Sequence, residues 1–579
     1  MKQTGNPPST WRKPLAEAAV LGLLVLLLQA VAGRGFGPHW DSWYYYDITE
    51  RYSQWISSWW DGGDVPPLSD VRWYFGGEPQ HPPLAKWCGA VTHALFKDLL
   101  GPLNSCRLAV ELISALWCSA MFLFLRPRVG RGLALLGSAL FLGSPRFFLH
   151  SCLFSIDGFI GALYGLCLLS FLFWDRGWRG KVVVYIALTL GFLTKLQAYY
   201  LVPTLLLWVV VKKLRVDSEQ EPRTSSLSSE ICKAVGIVVL AGATSFAAWP
   251  ALWIDFPNGF QGYLDFITGH GNVPVLYFGE VYRGEESPPW HYPWVFTAIA
   301  VPLWLTIPAV AWLGRMIFRS FRKSYPDRTE LLLWVGVLIP LAVSSLPQAP
   351  KFDGIRHLLP AYAPLVLLAA LELAFWWRVA ENRLFASWGK PVRNSLLVAL
   401  AVLILLPTLR VYPYNLVYYS PLIGGTKGAR EKGFDLEYLS VAMHRINPAL
   451  WNVAKSRNLI LGAACNAANV NLAADGWVNL PERSDLWDFK LVNDPPHVAA
   501  IQDAMTNGVA VFAIISSRYS DLGPAAHLVL KEVEPIARIE YDGERLFSLH
   551  PITAEWLKEL PTKLKAGGQD LNAGTRYSR

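Results

Sequence analysis

The sequence predicts an α-helical polytopic membrane protein of about eleven spans, followed by a small α/β domain on the outer side of the bilayer. Three observations carry this. Of 579 residues, 53% are hydrophobic, 13% aromatic and only 17% charged, whereas soluble domains hold about 25% charged residues, and the mean hydropathy is +0.28. Apolar runs near the roughly 20 residues a membrane helix needs recur until about residue 410. Beyond that point the composition becomes polar.

In order, the apolar windows cover 14–33, 107–125, 131–149, 151–174, 182–197, 198–211, 234–250, 293–314, 330–346, 358–377 and 394–410. The stretch 182–211 reads as one long helix or two short ones. No small-residue cleavage site follows Leu15 to Gly33, so this run reads as an anchor. Alternating the spans gives two sets of loops. One set, with Lys2, Arg12, Lys13, the 212–233 loop and its counterparts, holds about 23 Lys and Arg; the longer opposite set holds roughly ten. That bias predicts a cytoplasmic N-terminus. It places the loops 34–104 and 251–292, and everything after 410, outside. It also accounts for the net charge of +8. No Lys/Arg stripe with interleaved aromatics is present, so nucleic acid is excluded as a partner.

The chain therefore divides into a membrane domain, 1–410, an outer α/β domain, 411–562, and a Gly/Lys/Asn-rich end, 563–579, expected to be disordered. In the outer domain, Val509–Ile515 and Leu546–Leu549 read as strands. The seven cysteines form no CxxC and read mostly as small buried hydrophobes. No tandem repeat and no inverted pair of broken helices is seen.

Chemistry-bearing residues gather on the outer side. Asp41 lies just past the first span in His39-Trp40-Asp41-Ser42-Trp43-Tyr44-Tyr45-Tyr46-Asp47. Partial desolvation among aromatics suits a carboxylate to accept a proton, against the plainer reading of a solvated loop acid. The aromatics Trp55, Trp59 and Trp60 read as an interfacial belt. Asp157 opens an apolar run, and an ionisable group there is either functional or a helix cap. Lys195, Arg356 and His357 supply positive charge or donors for an anionic ligand, although membrane-surface cations, Lys86 among them, often snorkel to lipid phosphates.

These residues resemble the GT-C membrane glycosyltransferases, in the branch of protein O-mannosyltransferases and the aminoarabinose–lipid A transferase (glycosyltransferase family 39-like). Asp41 with Tyr45 resembles the family's first outer-loop Asp-Glu and Tyr, and His81-Pro82-Pro83-Leu84 its H/E-P-P-L element. Asp157 resembles its second-loop acid and Thr194-Lys195 its later Thr-Lys. The segments Trp249-Pro250-Ala251-Leu252-Trp253, Tyr277-Phe278-Gly279 and Asp353-Gly354-Ile355-Arg356-His357 resemble a bacterial subgroup, and the likeness spans about 14–440. One departure is that Ser42 stands where the family has Glu; Asp47 or Glu50, one or two helical turns on, are the substitutes. Ser58-Trp59-Trp60-Asp61-Gly62-Gly63 resembles the WWDYG motif of oligosaccharyltransferases only by chance: it lies in the wrong loop and lacks the Tyr.

The resemblance implies a GT-C fold and transfer of a hexosyl or pentosyl group from a polyprenyl-phosphate donor to a hydroxyl of a protein, lipid or glycan, at the extracytoplasmic face of a bacterial plasma membrane. Asp41 and Asp157 would be catalytic. Lys195, Arg356 and His357 would hold the donor phosphate, and Tyr45, His81 and Glu50 would position substrate. Direct displacement would invert the anomeric carbon. No cofactor is required and no metal ligand set is recognisable, though the site leaves room for a divalent ion. A transporter or flippase of a lipid-linked sugar is the alternative; it would concentrate ionisable groups at the midplane, whereas here they lie at outer helix ends. The topology predicts that a cysteine engineered near Gly508 is labelled by a membrane-impermeant reagent from outside. Protection there with labelling near Ser225 would reverse the orientation.

Overall fold

A computed structural model describes residues 9–39, 41–60, 68–76, 80–214, 226–269, 272–284, 286–321, 327–454, 459–464, 484–488, 502–503, 505–508 and 510–566. All eleven apolar windows fall on helices, and the protein is a multi-pass helical membrane protein. Among the described residues, six helices are long and apolar enough to cross a bilayer: Arg12–Gly33, Pro102–Val129, Ile156–Phe173, Leu227–Ala247, Arg356–Arg383 and Lys390–Val411. The remaining windows lie on shorter, interrupted or less apolar helices, and the interruptions have local causes. The window 131–149 divides at Gly143 and Ser144 into Arg131–Leu142 and Pro145–His150, with Pro145 at the first helical position. The window 293–314 divides at Val301 and Pro302 into Tyr292–Ala300 and Leu303–Phe321. The stretch 182–211 is two helices, Gly177–Phe192 and Leu201–Leu214, joined through Lys195 and the turn Leu196–Tyr200.

Helix Pro102–Val129 is central, packing on Ser9–Gly33, Leu84–Leu100 and Ile156–Ser170. Charges tie both ends of its contact with the first helix. Arg126 Nε donates to Glu17 at 2.9 Å. At the other end the buried Arg107 donates to the carbonyls of Gly33, Phe36 and Gly37 at 2.7–2.9 Å, so the chain leaving the first helix is held before it reaches Asp41. The loop that follows is mostly helical, as Ser42–Trp60, Leu68–Phe75 and Leu84–Leu100.

The polar C-terminal region is built on a five-stranded sheet. Its strands are β3 Leu459–Ala464, β4 Ser484–Asp488, β5 Ala510–Ser516, β6 Ala537–Tyr541 and β7 Glu544–Ile552. β3 runs parallel to β4 and β5, and β7 antiparallel to β5 and β6. The two strands read from the sequence are β5 and β7. Side chains alternate on β5 as a pleat requires. Val511, Ala513 and Ile515 pack with Val529, Leu557 and Leu560 of the helices Pro524–Glu532 and Ala554–Ala566. Phe512 and Ile514 turn the other way and join the main core with Leu546, Phe547 and Leu549. The last helix includes Lys563–Ala566, so the disordered end expected from Lys563 is helical there, and 567–579 lie outside the described residues. A second hairpin, β1 Asn272–Tyr277 and β2 Glu280–Gly284, turns through Phe278 and Gly279, both at positive φ (52° and 84°), the geometry of a tight two-residue turn.

Between the last long helix and the sheet, residues 412–446 form short turns that are largely buried. Glu437 lies here and accepts from the backbone N–H of Leu439 (3.1 Å) and Ala442 (3.2 Å). Burial outweighs those bonds and lifts its carboxyl to about 7. The folded state therefore binds this proton more tightly than the unfolded chain. The resulting stabilisation is complete below the ordinary value of 4.5 and lost as pH rises through about 7. Thermal unfolding in detergent should show a loss of up to about 3 kcal/mol across that window, and Glu437→Gln should flatten it.

Candidate active site

Each member of the site is fixed by local backbone chemistry. His39, Asp41 and Ser42 form a closed turn: Ser42 N donates to the His39 carbonyl (2.8 Å), His39 N to Ser42 Oγ (3.0 Å) and Asp41 N to His39 Nδ1 (3.2 Å). His39 Nε2 lies 2.8 Å from the Phe154 carbonyl. Burial lowers the imidazole below its ordinary value, and a neutral ring protonated on Nε2 satisfies both contacts. Asp41 is thereby held at the start of Ser42–Trp60, against the loop that precedes Asp157.

Asp157 is not the cap of its helix. Ser155 is, accepting from Gly158 N at 3.3 Å, and Asp157 sits one position inside the first turn, fully buried. Of the two sequence readings, the cap belongs to Ser155 and leaves Asp157 for other contacts. Its partners are Lys195, whose Nζ donates to Oδ1, and Arg356, whose Nε donates to Oδ2 at 2.8 Å. Lys195 arrives on extended backbone where the two helices of 182–211 separate.

Arg356 is the junction. Besides Asp157 it donates through Nη2 to Asp41 and through Nη1 to Asp353 at 3.0 Å. Asp353 and Gly354 both adopt positive φ (55° and 59°), with Gly354 N donating to the Tyr292 hydroxyl at 3.0 Å. A strained left-handed Asp is retained because this turn returns its carboxylate to Arg356. The other oxygen of Asp353 lies 3.0 Å from Arg518 Nη2. Arg518 follows β5 and is anchored on the carbonyls of Tyr438 and Pro274, both at 3.0 Å.

Asp41, Lys195 and Arg356 open onto a cavity of about 580 Å³, a volume typical of ligand pockets. Tyr45, His81 and His357 also line it, and its walls are chiefly apolar and aromatic: Leu196, Tyr199, Tyr200, Phe266, Val343 and Phe352. His81 stands edge-on to Tyr45 and Phe266 (ring centroids 6.0 and 5.0 Å). Its approach to Lys195 follows from the backbone bond of Leu84 N to the Leu193 carbonyl (2.8 Å). Burial, then the positive charge of Lys195 and Lys86, hold His81 well below its ordinary value, so it is neutral at physiological pH. His357 Nδ1 lies 2.8 Å from Gln197 Nε2. Asp157 and Asp353 do not line the cavity, so among the described residues Asp41 is the acid it exposes.

The structure thus brings together Asp41, Asp157, Lys195, Arg356, His357, Tyr45 and His81, and leaves Glu50 out. Nine residues beyond Asp41 at about 100° each is half a turn out of phase. Glu50 accordingly points away from the cavity, toward Cys106. Asp47 is on the exposed surface, paired with Arg51 at 2.8 Å. Neither replaces the acid missing at Ser42. The sequence reading named Asp353 only within the segment that resembles a bacterial subgroup, and it missed Arg518 and Gln197. Among the described residues, no group of three or more His, Cys, Asp or Glu is placed to hold a metal ion.

Residues 80–249 match the family model of dolichyl-phosphate-mannose-protein mannosyltransferases, less than a third of the chain but including His81, Asp157 and Lys195. The resemblance to GT-C membrane glycosyltransferases is borne out. No curated protein sequence matches the chain. Among solved structures, apo ArnT from Cupriavidus metallidurans aligns at 17% identity over 93% of this chain and 98% of that one, with a TM-score of 0.45. ArnT bound to undecaprenyl phosphate aligns at 16% identity over 94% and 98%, with a TM-score of 0.44. The oligosaccharyltransferase AglB from Archaeoglobus fulgidus, in complex with an inhibitory peptide and a dolichol-phosphate, aligns at 12% identity over 94% and 77%, with a TM-score of 0.45. At these scores the alignments carry no functional argument.

Because Asp353 is buried between two guanidiniums, Arg518→Ala and Asp353→Ala should not be additive. A double-mutant cycle read by thermal unfolding should give a coupling of about 1 kcal/mol or more. Additive losses would show that the C-terminal arginine and the loop acid act independently.

Proposed function

We propose that the protein transfers a hexosyl or pentosyl group from a polyprenyl-phosphate carrier to an acceptor hydroxyl on a protein, lipid or glycan, with inversion, at the extracytoplasmic face of a bacterial plasma membrane. One observation carries the reading: an apolar and aromatic cavity formed by helix ends and their connecting segments ends on Asp41, Lys195 and Arg356. Such a cavity suits a molecule with a prenyl tail and a phosphate head. The family model over 80–249, whose members are described by their dolichyl-phosphate-mannose donor, supports it.

The reaction follows from the residues. The acceptor hydroxyl oxygen bonds to the anomeric carbon, and Asp41 takes its proton. The bond from that carbon to the phosphate oxygen breaks, and its electron pair stays on the lipid phosphate. Lys195 and Arg356 stand where this negative charge grows, and His357, neutral or charged, can donate beside them. Asp157 orients both cations. His81 and Tyr45 wall the acceptor side, and a neutral His81 leaves the proton to Asp41. Ionisable groups at the helix ends favour this chemistry over transport, and release of free polyprenyl phosphate by purified protein separates the two.

Asp41→Asn is nearly isosteric and removes the proton acceptor. It should fold and lose transfer by at least about 10²-fold; near-parental turnover would make Asp41 a mere ion-pair partner. Arg356→Lys keeps a charge but not the planar fork, and should weaken donor use more than Lys195→Arg does. Arg356→Ala that binds polyprenyl-phosphate sugar like the parent would remove the arginine from the phosphate site.

A further inference from the structure

At the other end of the bundle, a second cavity of about 280 Å³ is lined, among the described residues, by Arg128, Arg315, Arg319 and Arg378 against two carboxylates, Asp327 and Glu330. We propose that it binds the phosphate headgroup of an anionic phospholipid in the leaflet opposite the candidate active site.

Depth is the first argument. Arg378 follows the Arg356 turn along the helix Leu359–Arg383 by some two dozen residues, about 30 Å at about 1.5 Å per residue. That is the thickness of a bilayer core, so the arginines stand at the headgroup level of the far leaflet. The second argument is that three of the four arginines are fixed. Arg315 pairs with the buried Glu372 and lies over Phe375 at 4.4 Å. Arg128 donates to the Phe124 carbonyl (2.7 Å) and lies 3.9 Å over the Phe124 ring, and Arg378 donates to the Arg128 carbonyl. Glu330 is occupied by Trp312 Nε1 at 3.0 Å, and Asp327 caps Thr329.

Complementing helix dipoles does not explain the set, because that effect is confined to the last turn. Arg315 and Arg378 lie five or six residues before their helices end. The third argument concerns the chains. Phe375, which lines the cavity, is exposed, as are Phe318 and Trp376, neighbours in the chain of Arg319 and Phe375, and they offer an apolar flank to acyl chains. A basic pocket between membrane helices, at headgroup depth, with apolar flanks, is the arrangement that recognises an anionic lipid. A phosphodiester would take the guanidinium donors in the bidentate manner that arginine favours.

The test uses the full-length protein, delipidated in detergent and titrated with phosphatidylglycerol, phosphatidylcholine or inorganic phosphate, with retained lipid read by native mass spectrometry. Arg319→Gln with Arg378→Gln empties half the charge while leaving Arg315 to neutralise Glu372. Arg176→Gln with Arg179→Gln removes the same charge from exposed positions at the same end that do not line the cavity. Unchanged melting temperatures establish that both pairs fold. The parent should retain phosphatidylglycerol over phosphatidylcholine. The cavity pair should lose that retention by about tenfold, and the control pair should not. Equal loss in both pairs would reduce the effect to diffuse surface attraction and overturn the site. Absence of headgroup preference would overturn it as well. Displacement of retained phosphatidylglycerol by inorganic phosphate at the lipid's own effective concentration would identify a soluble anion and overturn the lipid assignment.

Discussion

One guanidinium organises the molecule. Arg356 touches Asp41, Asp157 and Asp353, and these acids in turn hold Lys195 and Arg518. Taking a charge out of water costs several kcal/mol, recovered only when geometry and partners are complete. Three carboxylates against three cations is such a set, and no member is stable there alone. The cluster therefore forces five distant pieces of chain to meet: the first loop, the helix opening at Ile156, the break at Lys195, the turn at Asp353 and the segment after β5.

The sheet's position follows from the same set. A polar domain beside a membrane bundle needs no fixed docking, yet Arg518 reaches across to Asp353 and to the Pro274 carbonyl of β1. Asp435 accepts from the backbone N–H of Leu276 (3.0 Å) and of Ser520 (3.3 Å), joining the hairpin to the turn after β5. Through these contacts the C-terminal region completes the layer behind Arg356 rather than hanging from the last helix.

How much of this is legible in sequence depends on the range of the physics involved. Every apolar window falls on helical segments because length and hydropathy act locally. The breaks at Gly143-Ser144-Pro145 and Val301-Pro302 are legible in hindsight from their Gly and Pro. The break that presents Lys195 carries no such mark and is set by packing. Asp41, Asp157, Lys195 and Arg356 stand out because charges at membrane-helix ends are costly and therefore conspicuous. Arg518 does not, since in a polar domain an arginine is ordinarily solvated and only the folded chain reveals its burial. Glu50 misled for a geometric reason: proximity along the chain to Asp41 says nothing of the helix face, and the face is opposite.

The balanced charge of the cluster also bears on how it could work. On the proposed reading the donor is a phosphodiester carrying one negative charge, and the departing lipid phosphate carries two once its bond breaks. In the same step Asp41 accepts a proton and loses its charge. Negative charge thus moves from Asp41 to the phosphate while the total within the site stays constant, so the step itself adds no buried charge. Arg356, which holds Asp41 at rest, loses an ionic partner as the phosphate gains charge. Its planar fork can follow that charge without leaving Asp157 and Asp353. A lysine in its place could serve one partner or the other. The ion pairs that saturate Arg356 at rest are therefore compatible with a phosphate role, because the reaction itself releases one of them.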